Sequence, residues 1–417
     1  MELKKCKLGD VCDIFGRIGF RGYTVQDLVE SPKDGAIALS PSNIVNGEID
    51  LQKVTYISWF KYEESPEIKV NKDDIVLVKT GSSVGKTALV RDVVHPITLN
   101  PQFVVLKNLS VNPVYLSYIL KGKNFQDSLW AITVGSTVPT LSQKNLAEIP
   151  ISILPIEIQK KIASVLSALD DKIALNKKMN QKLEAMAKRL YDYWFVQYDF
   201  PDKNGHPYKT TGGPMTYNPA LKREIPVGWE VKQICDIASF EKESVRPSDN
   251  PNIEYKHFSI PGYDECGSYV LETGESILSD KFKVSEIDIL VSKLNPWTSR
   301  VIWGESQEHQ ICSTEFVVMK LHELKEKGFL YSLVKQPSFI DYCTRGSSGT
   351  SHSHRRVNPE YMMDYIFAYE KDAVQSFSAI VSRYALMMMK NLRENRRLTA
   401  LRDKLLPLLM NGQVVVG

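Results

Sequence analysis

The chain has 417 residues, of which 43% are hydrophobic and 24% charged, and its formal net charge is +3. This length predicts two or three domains, and the composition is typical of a folded protein rather than a disordered one. So small an excess of positive charge does not by itself indicate a nucleic-acid-binding protein. The six cysteines form no Cys-x-x-Cys pair, which argues against a zinc module and a disulfide framework. No apolar run reaches the roughly 18 residues of a membrane span, and we expect a reducing, cytoplasmic compartment.

Residues 1–155 carry short β-type runs broken by Gly, Pro, Asn and Ser, which predicts a mixed α/β domain dominated by strands. Several loops of this segment hold candidate DNA contacts. Arg17 and Arg21 stand among glycines, and an arginine can pair with two acceptors of guanine at once. The other candidates are a lysine and hydroxyl side chains in loops: Ser82, Ser83, Lys86, Ser136 and Thr137.

Two motifs in this segment resemble catalytic or nucleotide-binding motifs. Gly81-Ser82-Ser83-Val84-Gly85-Lys86-Thr87 has three residues between its glycines, whereas a phosphate-binding loop needs four. Asn100-Pro101-Gln102-Phe103 resembles the Asn-Pro-Pro-aromatic motif that grips a flipped adenine in amino-methyltransferases, but its second proline is missing. The sequence therefore favours a surface loop in the first case and a turn entering a strand in the second.

A long helix is predicted over 156–198, because apolar residues recur there in steps of three and four. Its stripe is Ile162, Leu166, Leu169, Ile173, Asn176, Asn180, Leu183, Ala187, Leu190 and Trp194. The Pro- and Gly-rich stretch 199–226 predicts an irregular connector, and a second strand-rich domain follows over 227–371. A second helix and a tail occupy 372–417, and Pro407 with Asn411-Gly412 is expected to close that helix.

The two halves are diverged copies of one unit. Asp74-Ile75-Val76-Leu77-Val78-Lys79 recurs as Asp288-Ile289-Leu290-Val291-Ser292-Lys293, at an offset of 214. The stripe of the second helix, at an offset of 215, is Phe377, Val381, Tyr384, Met388, Asn391, Asn395, Leu398, Arg402, Leu405 and Leu409. Both stripes thus hold asparagine at the same two positions, and a polar residue in an apolar seam fixes register at some loss of stability. The matched asparagines predict that the helices pair, although two unrelated amphipathic helices in separate cores are the alternative.

The loops of the second half carry different side chains from those of the first. After the strand stand Lys293, Asn295, Trp297 and Arg300, and a Gly- and Ser-rich run adds Arg345, Ser347, Ser348, His352, His354, Arg355 and Arg356. Short polar donors among cations suit contacts with DNA grooves and phosphates, and a solvated surface loop is the alternative. The two histidines could be half of a metal site, but the sequence offers no third ligand. Because the first-half counterpart lacks arginine, we expect the two domains to read different base sequences.

Two stretches of this chain resemble the specificity subunit of type I restriction–modification enzymes. One is the helix entry Leu154-Pro155-Ile156-Glu157-Ile158-Gln159, and the other is Glu224-Ile225-Pro226-Val227-Gly228-Trp229 at the start of the second half. Leu190-Tyr191-Asp192-Tyr193-Trp194-Phe195 and the stretch 398–407 are also similar to that family. The resemblance covers the whole chain.

This resemblance implies two target-recognition domains, each reading half of a split site in double-stranded DNA. It also implies two antiparallel helices that form a coiled-coil spacer and dock two methyltransferase subunits. S-adenosylmethionine and ATP would belong to the methyltransferase and motor/endonuclease subunits, so no catalytic residue, metal or cofactor is expected here. A self-contained DNA methyltransferase or nuclease, and a helical scaffold that does not contact DNA, are the alternatives.

Overall fold

A computed structural model describes residues 3–135, 138–349 and 354–414. The chain divides into two compact units, one of residues Met1–Ile173 with Arg397–Gly417 and one of residues Ala174–Arg396. Each unit therefore contains one strand-rich domain and a part of both long helices. No helix of the described part is long and apolar enough to cross a membrane.

The strand-rich domain of the first unit contains two four-stranded sheets. The first recognition sheet, as we name it, is antiparallel and has the strand order Asp13–Gly16, Phe103–Lys107, Ile75–Val78 and Thr87–Leu89. The other sheet has the order Ile97–Leu99, Gly35–Leu39, Thr55–Ser58 and Leu28–Val29, and its first pair is parallel.

The first recognition sheet is buried on both faces. Because side chains alternate along a strand, Ile75 and Leu77 pack into a core with the helices behind the sheet, while Val76 and Val78 pack against the other sheet. This explains why its central strands are continuous apolar runs rather than alternating ones. The remaining elements of the domain are strands Lys4–Lys7, Ile44–Val45, Glu48–Ile49 and Pro150–Ile153, and helices Trp59–Glu63, Pro113–Lys121, Lys123–Ala131 and Gln143–Ala147.

The second unit repeats this plan. Its second recognition sheet has the order Ala238–Glu241, Phe316–Leu321, Asp288–Ser292 and Val301–Trp303. A five-stranded sheet packs on it and also contains one parallel pair, with the order Ser244–Val245, Lys281–Lys283, Gln310–Cys312, Glu254–Phe258 and Val270–Thr273. The remaining elements are strands Glu230–Gln233, Ser347–Ser348, Arg356–Val357 and Ile366–Tyr369, and helices Ile260–Cys266, Lys327–Leu333, Pro337–Arg345 and Pro359–Met363. The predicted mixed α/β fold with an internal repeat is confirmed.

The long helices are Ile156–Tyr191, which continues into a π-helical turn at Asp192–Val196, and Lys371–Met410. All residues of the two predicted stripes are buried or half-buried. In the first unit the stripe residues Ile162 and Leu166 share a core with Leu405 and Leu409. In the second unit Leu183 and Ala187 share a core with residues that include Phe377 and Val381.

The second helix ends at Met410, directly before Asn411-Gly412, as the sequence predicted. Pro407 does not end it, because the exposed proline removes only one helical donor and Leu409 is anchored in a core. The connector is not irregular throughout, since Met215–Asn218 and Arg223–Pro226 pair as a hairpin. Trp229, which follows that hairpin, packs its ring against those of Tyr198 and Phe200.

Candidate nucleic-acid interface

The loop after strand Ile75–Val78 is fixed by backbone hydrogen bonds to two distant segments. The amide of Lys79 donates to the carbonyl of Gln102 at 2.7 Å, and the amide of Gly81 donates to the carbonyl of Pro139 at 2.9 Å. The amide of Leu141 donates back to the carbonyl of Lys79 at 2.8 Å. We call residues 79–86 with 134–135 and 138–141 the first recognition edge.

The loop after strand Asp288–Ser292 has the same arrangement. The amide of Lys293 donates to the carbonyl of Glu315 at 2.9 Å, and the amide of Asn295 donates to the carbonyl of Arg355 at 2.8 Å. The amide of Val357 donates back to the carbonyl of Lys293 at 3.0 Å. We call residues 293–300 with 348 and 354–357 the second recognition edge. The two edges therefore share one backbone scheme, which the sequence repeat did not reveal in these loops.

The glycines of the first edge serve this scheme rather than a nucleotide. Gly81 and Gly85 have φ values of +97° and +88°, where a side chain is strained. The amides of Gly81, Val84, Gly85 and Lys86 all donate to backbone carbonyls of the protein, so they are not available to encircle a phosphate. This supports the prediction that the stretch is a surface loop.

Most of the predicted contacts in the first edge lie on its surface. Ser82 and Lys86 are exposed, and Ser83 is half-buried. Lys79 stands beside them half-buried, and this burial lowers the pKa of its ammonium group. Ser136 and Thr137 lie outside the described residues.

The placement of Arg17 argues against the expectation that it contacts DNA. Its side chain is only 5% exposed and donates to the carbonyl of Leu99 at 3.1 Å and to the hydroxyl of Thr98 at 3.2 Å. It also donates to the carbonyl of Arg21, so this arginine supports its own loop from inside. Arg21 is half-buried and lies 3.7 Å from a carboxylate oxygen of Glu67.

The arginines of the second edge are mostly held by acidic partners. Arg300 donates through Nε and a terminal nitrogen to the two oxygens of Asp264, at 2.6 and 2.7 Å. Arg356 pairs with Glu315 at 2.9 Å. Arg355 donates to the backbone carbonyl of Ser347 at 2.6 Å. The carboxylate pairs of Arg300 and Arg356 fix the planes of these two guanidinium groups and shield much of their charge.

Arg345 ends the helix Pro337–Arg345 and is exposed, and within the described parts of the chain its guanidinium has no hydrogen bond or ion pair. Among the described arginines predicted to contact DNA in the second domain, Arg345 is therefore the one whose guanidinium is most accessible to a ligand. Ser347 is buried, and the exposed Ser348 pairs with Arg356 in a two-residue ladder. His354 is exposed, whereas His352 lies outside the described residues.

Trp297 is 42% exposed at the tip of a strained turn, while Lys293 at the base of the same loop is half-buried. Asn295 and Ser299, on either side of the turn, have φ values of +49° and +50°, which are unfavourable for residues with a side chain. No group of three His, Cys, Asp or Glu that could hold a metal ion occurs among the residues that the structure describes.

The four stripe asparagines hydrogen-bond across the helix pair in the second unit. Asn176 donates to the side-chain oxygen of Asn395 at 2.9 Å, and Asn391 donates to that of Asn180 at 2.8 Å. The helices are antiparallel here, because the earlier asparagine of the first helix pairs with the later asparagine of the second. Exchanging the two copies of the repeat maps one hydrogen bond onto the other. The role of these residues in setting register stays a prediction.

A strand-rich domain followed by a long helix, present twice and with a diverged loop edge on each copy, defines a two-headed recognition protein. The family model of the type I restriction modification DNA specificity domain matches residues 2–185. The MjaIX specificity subunit of a type I restriction enzyme from Methanocaldococcus jannaschii is 27% identical over 82% of this chain and 78% of its own length. The HindI specificity subunit from Haemophilus influenzae is 21% identical over 99% of this chain and 100% of its own.

The crystal structure of a type I restriction-modification S subunit from M. genitalium has the same fold, with a TM-score of 0.62 at 14% identity over 98% of this chain and 96% of that one. The resemblance to type I restriction–modification specificity subunits that the sequence predicted is confirmed, because residues 2–185 match the family model and these relatives are similar to the chain over most or all of its length. These relatives are the specificity subunits of type I restriction enzymes, which agrees with the DNA-recognition role that the sequence predicted.

Proposed function

We propose that this chain directs a type I restriction–modification complex to a bipartite DNA site and that each recognition edge reads one half of it. The observation that carries the proposal is the shared backbone scheme of the two edges with almost entirely different side chains. A common backbone presents both edges to DNA in the same way, and the different side chains then give each half-site its own sequence. We expect the half-sites about one helical turn apart.

The helices supply a surface for the protein partners. Exposed apolar side chains outside the seam include Leu175, Met179 and Met186 of the first helix and Tyr193 of the π-helical turn that continues it. They recur in steps of four and seven, which places them along one face of the helix, and such a stripe suits the helix of a partner. We propose two methyltransferase subunits as the partners, with motor/endonuclease subunits joining them.

The chemistry of the complex lies on those partners in this proposal. S-adenosylmethionine is held by the methyltransferase subunits and ATP by the motor subunits, and this chain needs no cofactor of its own. Purified chain incubated with DNA and S-adenosylmethionine alone should therefore leave the DNA unmethylated. Methylation under those conditions would favour a self-contained methyltransferase.

The two-edge proposal is tested by variants in one edge at a time, or in the helix end Arg345 that precedes the second edge, within the assembled methyltransferase complex. The target sequence is first read from the methylome of the host with and without the gene. Lys86→Ala with Ser82→Ala should then relax base preference in one half-site, and Arg345→Ala with Trp297→Ala in the other, by roughly 1–3 kcal/mol for each lost base contact.

Each pair of variants is the control for the other, because both complexes must keep full preference in the half-site that was not changed. Equal relaxation of both half-sites by either pair would contradict the proposal. A uniform loss of affinity with a smaller salt dependence would show phosphate contacts instead of base reading.

A further inference from the structure

The first recognition edge carries two valines on its surface. Val134 is 70% exposed and Val138 is 56% exposed. Single exposed apolar residues are common, but these two belong to one short, hydrogen-bonded element. The amide of Val134 donates to the carbonyl of Thr140 at 3.1 Å, and the amide of Thr140 donates back at 2.8 Å.

This element is tied to the loop that holds Ser82 and Lys86. Thr140 also bridges to Thr80, and Gly135, at a φ of +101°, provides the bend that a side chain would obstruct. Val134 lies directly opposite Thr140 in this bridge, and Val138 precedes Thr140 by two residues. Both valines are therefore next to the residue that bridges to Thr80.

The second recognition edge has polar residues at the corresponding positions. Ser348 pairs with Arg356 as Val134 pairs with Thr140. His354 precedes Arg356 by two residues, as Val138 precedes Thr140. At these positions the first edge therefore holds methyl groups, whereas the second edge holds hydrogen-bonding groups.

Valine cannot donate or accept a hydrogen bond, and its branched side chain has few rotamers, so its methyl groups are held at defined positions. The apolar group that B-DNA offers to a protein in the major groove is the 5-methyl group of thymine. We propose that Val134 and Val138 are specificity-determining residues that contact thymine methyl groups in one half-site. This inference rests on the proposed function, because it requires the first edge to face DNA.

Replacing thymine by uracil tests the contact directly, because uracil lacks the methyl group and keeps every hydrogen bond of the base pair. The assembled complex is titrated with duplexes in which each thymine of the target is replaced by deoxyuridine in turn. Burial of one methyl group predicts about fourfold weaker binding at one or more thymines of a single half-site. The double variant Val134→Ser with Val138→Ser should bind the thymine and uracil duplexes equally well.

Serine is the residue that the second edge already holds at the position of Val134, so the shared backbone accommodates it. The control is Val94→Ser, which changes an exposed valine outside the recognition edge. Val94 precedes strand Ile97–Leu99, whereas Gln102, which bonds to the edge, follows that strand, so the two lie at opposite ends of it. The control should keep the fourfold preference for thymine. The measurement on unchanged protein needs no variant and stands even if the double variant does not fold.

Equal binding of thymine and uracil duplexes, or a target without thymine in either half-site, would overturn the inference. If exchanging whole base pairs still weakens binding at both half-sites, only this inference fails and the proposed function stands. If base-pair exchanges matter in one half-site alone, the proposed function fails as well. A double variant that impairs assembly of the complex and keeps its thymine preference would assign the valines to a protein partner and overturn their role at DNA.

Discussion

A buried lysine makes the stability of the second unit depend on pH. Lys327 is 1% exposed, and its ammonium group donates to the backbone carbonyls of Glu286 and Gly304, the latter at 2.6 Å. It also lies 4.1 Å from the centre of the Trp303 ring. Burial lowers the pKa of Lys327 from 10.5 to about 7, and the charge of Asp288 offsets only part of this effect.

The sign follows from proton counting. The folded chain loses this proton at a lower pH than the unfolded chain, so the unfolded state binds more protons between the two pKa values and stability rises with pH there. For a lysine with a folded pKa of about 7 and an unfolded pKa of 10.5, the free energy of unfolding gains about 1 kcal/mol from pH 6 to pH 8. The gain from pH 6 to pH 9 is about 3 kcal/mol. Below pH 6 both states are charged and this contribution no longer changes.

The comparison of the natural chain with Lys327→Met isolates this gain, because every other titrating group is present in both. Urea unfolding is followed at pH 6, 7, 8 and 9 by tryptophan fluorescence, to which Trp194, Trp229 and Trp303 contribute from the core beside Lys327. The difference in unfolding free energy between the two proteins should change by about 1 kcal/mol from pH 6 to pH 8 in favour of the natural chain. Parallel pH profiles would refute the reasoning, and so would a difference that moves in the opposite direction.

Two further predictions concern packing. Asn176→Leu should lower the unfolding free energy by about 1–3 kcal/mol, because it leaves the Asn395 side chain without its partner. Adding Asn395→Leu should restore much of the lost stability. A double variant that is less stable than the single one in urea unfolding would contradict this prediction. Gly328→Ala should lower the melting temperature, because a Cβ there would lie 2.6 Å from the backbone oxygen of Ser378. Gly19→Ala is the control, since its Cβ would meet nothing within 4 Å, and equal melting temperatures of the two variants would be the contrary result.

The helices could be predicted closely from the sequence because their signal is local. Residues three and four apart lie on one face of a helix, so the apolar stripes alone placed the seam residues that the structure buries. Of the two local signals for the end of the second helix, Asn411-Gly412 placed it correctly and Pro407 did not. Pro407 is a local signal for a helix end, whereas the burial of Leu409 that carries the helix past it is a tertiary contact.

The recognition edges could be predicted only in part, because their geometry depends on residues far apart in the sequence. The hydrogen bond between Asn295 and Arg355 joins positions 60 residues apart, and the partner of Arg300 lies 36 residues away in Asp264. Composition indicated that these loops are basic and polar. It could not show that acidic residues elsewhere neutralise several of the arginines, or that Arg17 turns inward.

The loops of the two edges reach a similar backbone geometry with different residues at the positions of positive φ, and this decides which side chains each loop exposes. In the loop after the strand, the first edge has glycine at the two positions of positive φ, Gly81 and Gly85, which needs no compensation but leaves the bend without side chains. The second edge holds Asn295 and Ser299 there, at a strain of roughly 1–3 kcal/mol each. The ion pair of Arg300 with Asp264 stabilises that loop, in which the Trp297 side chain is exposed. Because the hydrogen bonds that fix both edges are mainly between backbone groups, exposed side chains can be exchanged while the scheme persists, which lets the two domains diverge in the sequences they read.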